Sequence, residues 1–229
     1  MDSRRKGAAT MRAVIVAGAA AGDDAFVRAQ CAGADLLIAV DAGALTLERA
    51  GVRPDIAVGD FDTAGDATVS RLAAAGIPVE RHPAEKDATD THLALLIAVE
   101  HGATDIDVLG VLGGPRYDHM VAAVMNLTLP VLASVCVTLR DPLHTIRLLH
   151  DREQITLHGT PGEYVTLLPL TETATGVQGD GLRYPLPDTF SRGDSWGVSN
   201  ELTHVNAHIT LGRGLLLVIH THIASNHLI

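Results

Sequence analysis

The chain has 229 residues and a formal net charge of −10 at pH 7, and 47% of its residues are hydrophobic. This length fits one large domain or two small ones, and the composition is that of a globular protein rather than a disordered one. The acidic balance argues against a nucleic-acid-binding surface, since the basic residues cluster only at Arg4, Arg5 and Lys6. The sequence contains no apolar run of about 18 residues and no signal-peptide core. We therefore expect a cytoplasmic protein without membrane contact.

The first part of the chain, residues 11–142, is predicted to be an α/β domain. Short apolar runs alternate there with segments of helical spacing, which favours a parallel sheet covered on both faces. The runs interpreted as strands are AVIVAGA, LLIAVD, DIAVGD, IPVE, DIDVLGVL and SVCVTL. The single cysteines, Cys31 and Cys136, lie inside apolar segments without metal-ligand spacing, so we expect both to be structural.

One helix is predicted with particular clarity, in the segment TDTHLALLIAVEHG. Thr89 or Asp90 can cap its start, and Gly102 can end it. The spacing i, i+3, i+4 and i+7, which is typical of a helix, is met by Leu93, Leu96, Ile97 and Glu100.

The remaining residues, 143–229, are predicted to form a smaller all-β domain, sandwich-like or barrel-like. TIRLLH, QITLHG, YVTLLPL, VNAHITL and GLLLVIH are strand-like runs separated by Gly, Pro, Asp and Asn. PDTFSRGDSWGVSN is interpreted as a loop between strands. Near the end, HTHIASNH carries His220, His222 and His227, and its alternation favours an exposed strand face over a metal cluster.

Acidic residues recur where the predicted parallel strands end. Ligands of open parallel sheets bind outside the carboxyl ends of the strands, so these acids are expected to share one crevice. Clustered carboxylates repel one another and recruit cations. Mg²⁺ prefers oxygen ligands and is commonly shared with substrate phosphates, which predicts a Mg²⁺ and polyphosphate site. The acids concerned are Asp41, Asp60, Asp62, Asp87, Asp90 and Asp118.

Each acid taken alone also fits a turn or helix cap. GDFD, however, contains two carboxylates, and a cap needs only one. Gly43, Gly59 and the Gly113–Gly114 pair would let backbone approach a ligand. His119 is either a phosphate contact or a helix-start residue, and both interpretations stay open. A Walker loop, a GxGxxG fingerprint and a nucleophile elbow are all absent from the sequence.

The ordered blocks VDAGA, PDIAVGDFDT, EKDATD and GGPRYDH, followed by YVTLLPL, GLRYPL and GVSNE, resemble the thiamine pyrophosphokinase family. The resemblance runs from about Val40 to the end of the chain. It implies a Rossmann-like nucleotide domain followed by a β-rich thiamine domain. It also implies transfer of the pyrophosphoryl group of ATP to the thiamine hydroxyl, with release of AMP, by a homodimer whose thiamine site lies at the interface.

The resemblance also implies roles for single residues. Asp60, Asp62 and Asp90 would bind Mg²⁺. Together with Asp87 and Asp118 they form the predicted catalytic set. The proton acceptor would be Asp87 or Asp118. The predicted thiamine contacts are Tyr184, Ser199 and Asn200, with Trp196 as an alternative aromatic. The predicted ATP contacts are Asp41, Gly43, Lys86, Thr89, Arg116, Asp118 and His119.

Two positions depart from the family pattern, Ala42 and Pro115, where the family usually has glycine. Two alternatives remain beside thiamine pyrophosphokinase activity. One is a diphosphokinase acting on another hydroxymethyl heterocycle such as a pterin, and the other is a non-catalytic nucleotide-binding module of the same fold.

Overall fold

The computed structural model describes residues 10–83 and 87–223. The described residues divide into two compact units, one of residues 10–142 and the other of residues 143–223. The first unit alternates strands with helices, and within its described residues the second contains strands without a helix. The predicted α/β region followed by a β-rich region is therefore confirmed.

The first unit is built on six parallel strands in the order β6-β5-β1-β2-β3-β4. From β1 the order continues through β2, β3 and β4 to one edge of the sheet, whereas β5 and β6 lie toward the other edge. The strand order therefore reverses between β1 and β5. The strands are β1 (Arg12–Val16), β2 (Leu36–Val40), β3 (Ile56–Gly59), β4 (Val79–Arg81), β5 (Asp105–Leu109) and β6 (Cys136–Arg140). The helices are α1 (Asp24–Cys31), α2 (Gly43–Ala50), α3 (Asp66–Ala74), α4 (Asp90–Glu100) and α5 (Tyr117–Asn126), with a short 3₁₀ turn at Pro130–Leu132.

Strands β1, β2 and β3 are buried on both faces, which explains their continuous apolar sequences. Helix α4 begins where the sequence predicts, since Thr89 Oγ1 accepts a hydrogen bond from the amide of His92 at 3.2 Å. The helical spacing predicted α4, but of the four spaced residues only Ile97 is buried. The buried residues are Ala94, Leu95, Ile97 and Ala98, while Glu100 is exposed. Helix α4 packs on the sheet and also contacts α5 and the 3₁₀ turn. Apolar residues therefore occur on most sides of the helix, and their spacing alone does not reveal which side faces the sheet.

The second unit contains two groups of antiparallel strands around its own apolar core. One group has the order β13-β9-β15-β7 and the other β11-β14-β8, with β10 and β12 pairing separately. The core between them includes Phe190, Leu167 and Ile209. The strands are β7 (His144–Leu149), β8 (Gln154–His158), β9 (Tyr164–Pro169), β10 (Thr173–Thr175), β11 (Gln178–Asp180), β12 (Thr189–Ser191), β13 (Asn200–Glu201), β14 (Asn206–Thr210) and β15 (Leu216–Thr221).

Two predictions for the second unit need correction. The segment interpreted as a loop contains β12, which pairs with β10 because Phe190 is buried in the core. The terminal histidines do not form an exposed face: His220 is only 2% exposed, because it lies on the same face of β15 as the core residues Leu216 and Val218. His227 lies outside the described residues.

None of the helices within the described residues is both long enough and apolar enough to cross a bilayer.

Candidate active site

A cleft of about 570 Å³ lies at the carboxyl ends of the parallel strands, around the point where the strand order reverses. Its wall includes Ala17 to Ala19 after β1 and Gly110 with Val111 after β5. This is the place where open α/β sheets bind ligands, because the loops leaving neighbouring strands separate there. Five of the six predicted acids line it, namely Asp41, Asp60, Asp62, Asp87 and Asp90.

Three of these carboxylates form a compact cluster. One carboxylate oxygen from each of Asp41, Asp60 and Asp62 lies within 4.8 Å of the others. Asp41 directly follows β2, while Asp60 and Asp62 follow β3, the strand paired with β2. A Cβ atom on Gly59 would lie 3.3 Å from the Cβ of Asp41, so glycine at the end of β3 allows this close approach. Asp90 lines the same cleft outside this cluster.

In the turn after β3, the two acids of GDFD line the cleft, whereas the residue between them is buried. Phe61 is 2% exposed and packs in the core of the first unit, with a φ of 59°. That left-handed conformation is costly for a bulky residue, and such strain is typical of functional sites. The buried ring anchors the turn, while Asp60 and Asp62 remain on the cleft wall.

Hydrogen bonds fix the cluster further. Asp60 Oδ1 accepts from the amide of Asp62 at 3.1 Å, and the Thr63 hydroxyl donates to Asp62 Oδ1 at 2.9 Å. Asp41 Oδ1 accepts from the amide of Ala64 at 3.2 Å. Burial raises the pKa of Asp41 above its usual value, its hydrogen bonds oppose that shift, and the nearby charge of Asp62 reinforces it. Asp41 therefore has the environment of a carboxylate that a cation would stabilise.

Positive charge, which complements the carboxylates of the cleft, comes from backbone amides and from Arg116. The N-termini of α2, α4 and α5 all contribute residues to the cleft, through Ala42, Asp90 and Arg116. Helix N-termini present free amide donors and favour anions. Gly113 and Gly114 line the cleft with φ values of 87° and 84°, conformations that glycine adopts without strain.

Asp118 differs from the other predicted acids, because it is not on the cleft wall. Its two carboxylate oxygens accept hydrogen bonds from Arg116 Nε at 3.0 Å and Nη2 at 2.7 Å. The pair is exposed, and the hydrogen bond from Arg116 lowers the pKa of Asp118 to about 2. Arg116 therefore lies on the cleft wall, while Asp118 lies off the wall and pairs with Arg116.

The other predicted ATP contacts are distributed unevenly. Thr89 and His119 line the cleft, and Thr89 also caps α4. Gly43 is not on the wall: it is buried at the start of α2, where a Cβ atom would overlap the carbonyl oxygen of Val16. Lys86 lies outside the described residues.

The predicted thiamine contacts lie in the second unit. Asn200 is buried, and its side chain accepts from the amide of Tyr184 at 3.0 Å and donates to the carbonyl of Tyr184 at 2.8 Å. Tyr184 and Trp196 are exposed, by 51% and 81%. Ser199 is exposed with a φ of 58°, and its amide donates to Thr166 Oγ1 at 3.1 Å.

Sequence reasoning missed two features. It placed Asp41 at the shared ATP and metal crevice without naming it as a metal ligand, whereas the structure groups Asp41 with Asp60 and Asp62; the pairing of neighbouring strands was the available signal. It also interpreted His220 and His222 as surface residues, although both lie beside Glu163.

Comparison with known proteins covers both units. The family model described as thiamin pyrophosphokinase, catalytic domain, matches residues 27–138. The model described as thiamin pyrophosphokinase, vitamin B1 binding domain, matches residues 144–216. A curated thiamine pyrophosphokinase from Bacillus subtilis is 31% identical over 185 residues, which is 80% of this chain and 86% of that protein.

Solved structures agree with these sequence matches. The crystal structure of thiamine pyrophosphokinase from Bacillus subtilis has a TM-score of 0.81 at 28% identity, covering 93% of this chain and 99% of the other. That from Geobacillus thermodenitrificans has a TM-score of 0.79 at 32% identity, covering 94% and 99%. The resemblance predicted from the sequence is confirmed, and the chain belongs to the thiamine pyrophosphokinase family.

Proposed function

We propose that the chain transfers the pyrophosphoryl group of ATP to the hydroxyl of thiamine in a Mg²⁺-dependent reaction, forming thiamine diphosphate and AMP. The observation that carries this proposal is the cluster of Asp41, Asp60 and Asp62 in a cleft at the carboxyl edge of the sheet. Membership of the family supplies the reaction, and the cluster supplies the chemistry that a polyphosphate substrate needs.

The residues present fit a magnesium ion. Asp41, Asp60 and Asp62 offer hard oxygen donors close enough to share one ion, and Asp90 on the same cleft stays a predicted further ligand. When bound there, Mg²⁺ would neutralise charge on the phosphate oxygens of ATP. Phe61 and the hydrogen bonds of the turn keep these carboxylates in position, so little reorganisation is required when ATP binds.

Phosphate binding is assigned to the amides of the helix N-termini and the Gly113–Gly114 turn, together with Arg116. The guanidinium group has a fork of donors that matches phosphate oxygens. In the structure this fork is paired with Asp118. Asp118 therefore orients Arg116, and the phosphate competes with it for the same donors.

Proton transfer from the thiamine hydroxyl is better assigned to Asp87 than to Asp118. Arg116 lowers the pKa of Asp118 to about 2, which makes that carboxylate a weak base. Asp87 lies on the cleft wall. In-line attack on the β-phosphorus then depends mainly on how the chain positions ATP and the acceptor.

Thiamine is proposed to contact Tyr184 and Ser199, which are both exposed. Asn200 acts differently, because its side chain is already engaged by the backbone of Tyr184. We assign Asn200 a positioning role. The homodimer, with its thiamine site shared between subunits, and the cytoplasmic location also remain predictions.

The decisive assay follows AMP release from ATP and Mg²⁺ with thiamine as acceptor, and with a pterin alcohol as the control acceptor. We expect AMP only with thiamine. AMP formation with the pterin alone would support the other diphosphokinase, and nucleotide binding without AMP from either acceptor would support a non-catalytic module. The family comparisons favour neither alternative.

A further inference from the structure

A second group of potential metal ligands lies in the β-rich unit, at the start of β9 and the end of β15. Glu163 precedes β9, His220 lies within β15 and His222 follows it. Glu163 Oε2 is 2.8 Å from His220 Nε2 and 3.3 Å from His222 Nδ1. The three potential ligand atoms all lie within 4.8 Å of one another.

The cluster is largely buried. The side chains of Glu163 and His220 are only 7% and 3% exposed. A buried carboxylate is costly unless a positive charge compensates it. A cation held by Glu163 together with the two histidines would supply that charge.

The surroundings resemble those of metal-binding histidines. The remaining ring nitrogen of His222, Nε2, is hydrogen-bonded to Thr145 Oγ1 at 3.1 Å. Metal ligands of this kind usually have such a partner, which fixes the tautomer and the ring orientation. Gly159 leaves room for the cluster, because a Cβ atom there would overlap Glu163 Oε2 and lie 2.8 Å from His220 Cε1.

We propose that Glu163, His220 and His222 bind a divalent transition-metal ion, with zinc as the best match, through Oε2, Nε2 and Nδ1. Two imidazoles and one carboxylate suit zinc, whereas Mg²⁺ prefers oxygen ligands alone, so the two sites differ in the metal they select. His222 is one-third exposed and lies on the open side, where a water molecule completes the coordination.

The position of the cluster indicates what the metal would do. Glu163 accepts a backbone hydrogen bond from Leu202 at 2.9 Å, and the amide of His222 donates to Leu143 at 2.7 Å. Strand β13, which contains Asn200, pairs with the start of β9. A metal at Glu163 would therefore fasten β15 to β9 beside the segment proposed to position Tyr184, and would stabilise this unit against unfolding.

The first test measures zinc binding to the full chain after removal of metals with a chelator. Calorimetry is done in saturating Mg²⁺, which occupies the carboxylate cluster of the cleft. We expect about one zinc ion per chain, with a rise in melting temperature. His222→Gln should lose this binding, whereas Asp62→Asn should keep it. The proposal fails if the intact chain binds no zinc, or if His222→Gln binds zinc as the unaltered chain does.

A second pair of variants separates metal binding from ordinary hydrogen bonding. Thr145→Val removes the partner of His222 and should weaken zinc binding roughly 10- to 100-fold. The matched control is Thr156→Val, because Thr156 Oγ1 is 3.0 Å from Nδ1 of His208 in another threonine–histidine pair of this unit. Equal zinc affinities for the two variants would contradict the proposal. Melting curves of the metal-free proteins show whether each variant folds.

Discussion

The residue between Asp60 and Asp62 determines where these two acids lie. Phe61 is buried in the core, so its neighbours in the sequence are held at the cleft. With Asp41 they form a compact cluster of three carboxylates. Such a cluster is suited to a cation and contributes little to the stability of the chain without one.

Replacing either acid by asparagine tests this interpretation. Asp60→Asn and Asp62→Asn should each reduce turnover at least about 100-fold, because an oxygen ligand loses its charge. The melting temperature without metal should stay nearly unchanged or rise, since repulsion with Asp41 falls. Steady-state kinetics and thermal melts measure both effects. Asp66→Asn is the matched control, because Asp66 is an exposed partner of Arg81 outside the cleft. Lost stability with retained turnover would instead assign the pair to a turn.

Cys31 is a buried free thiol, and it gives a pH-dependent prediction. Burial raises the pKa of the Cys31 thiol from about 9 to about 11, with Arg12 opposing. The folded chain therefore holds this proton more tightly than the unfolded chain, and its stabilising effect is lost as the pH rises from about 9 to about 11. Between about pH 8 and about pH 10, the intact chain should lose on the order of 1 kcal/mol more stability than Cys31→Ala. Urea unfolding at both pH values measures this difference, and parallel losses would contradict it.

At the scale of elements, the start of α2 explains a departure from the family pattern. Ala42 has φ −62° and ψ −11°, an ordinary helical conformation that does not require glycine. Gly43, the next residue, has no room for a side chain, because a Cβ atom would overlap the carbonyl oxygen of Val16. The glycine that α2 needs for packing against β1 is therefore Gly43, and alanine at position 42 leaves the backbone unstrained.

These two positions form a matched pair. Gly43→Ala should lower the free energy of unfolding by roughly 3 kcal/mol, since the backbone of β1 must move. Ala42→Gly should cost less than about 1 kcal/mol, the usual effect of added backbone freedom. Urea denaturation gives both values, and similar costs for the two variants would show that α2 does not pack on Val16 as described.

Helix α4 illustrates why an element can be predicted while its orientation is not. The cap at Thr89 and the apolar content predict the helix, and both depend on residues close in sequence. Its buried side depends on the neighbours α5 and the 3₁₀ turn, which cover residues that would otherwise face solvent. A helix that is apolar on most sides carries little directional information in its spacing.

At the scale of the whole molecule, the proposed shared site predicts complementation between subunits. Asp62→Asn damages the cleft, and Ser199→Arg adds a large side chain to the exposed segment of the second unit. Each variant alone should be inactive. In a randomly mixed homodimer population, half of the dimers contain both variants and each has one intact site, so activity should recover to about a quarter of the original.

The recovery is measured by AMP release after the two chains are co-expressed, with sedimentation used to establish that dimers form. A mixture of Asp60→Asn with Asp62→Asn is the control and should stay inactive, because both changes affect the same part of the site. If the test mixture is as inactive as this control, the site is formed within one subunit.

The sequence by itself determined the class of each half of the chain, the positions of most strands and of helix α4, and the family. These depend on local periodicity, on caps such as Thr89, and on short ordered motifs, all of which can be read along the chain. It also indicated that Asp60 and Asp62 would lie at a cleft, because residues that follow parallel strands must reach the same edge of the sheet.

Only the tertiary structure decided which side chains meet. Asp41 joins Asp60 and Asp62 because β2 pairs with β3 and Gly59 allows the approach. Asp118 pairs with Arg116, and Glu163 meets His220 across 57 residues of sequence. His220 is buried because it shares a face of β15 with the core residues Leu216 and Val218. These contacts depend on the order of strands in a sheet, and strand order is set by packing between segments that are distant in the sequence.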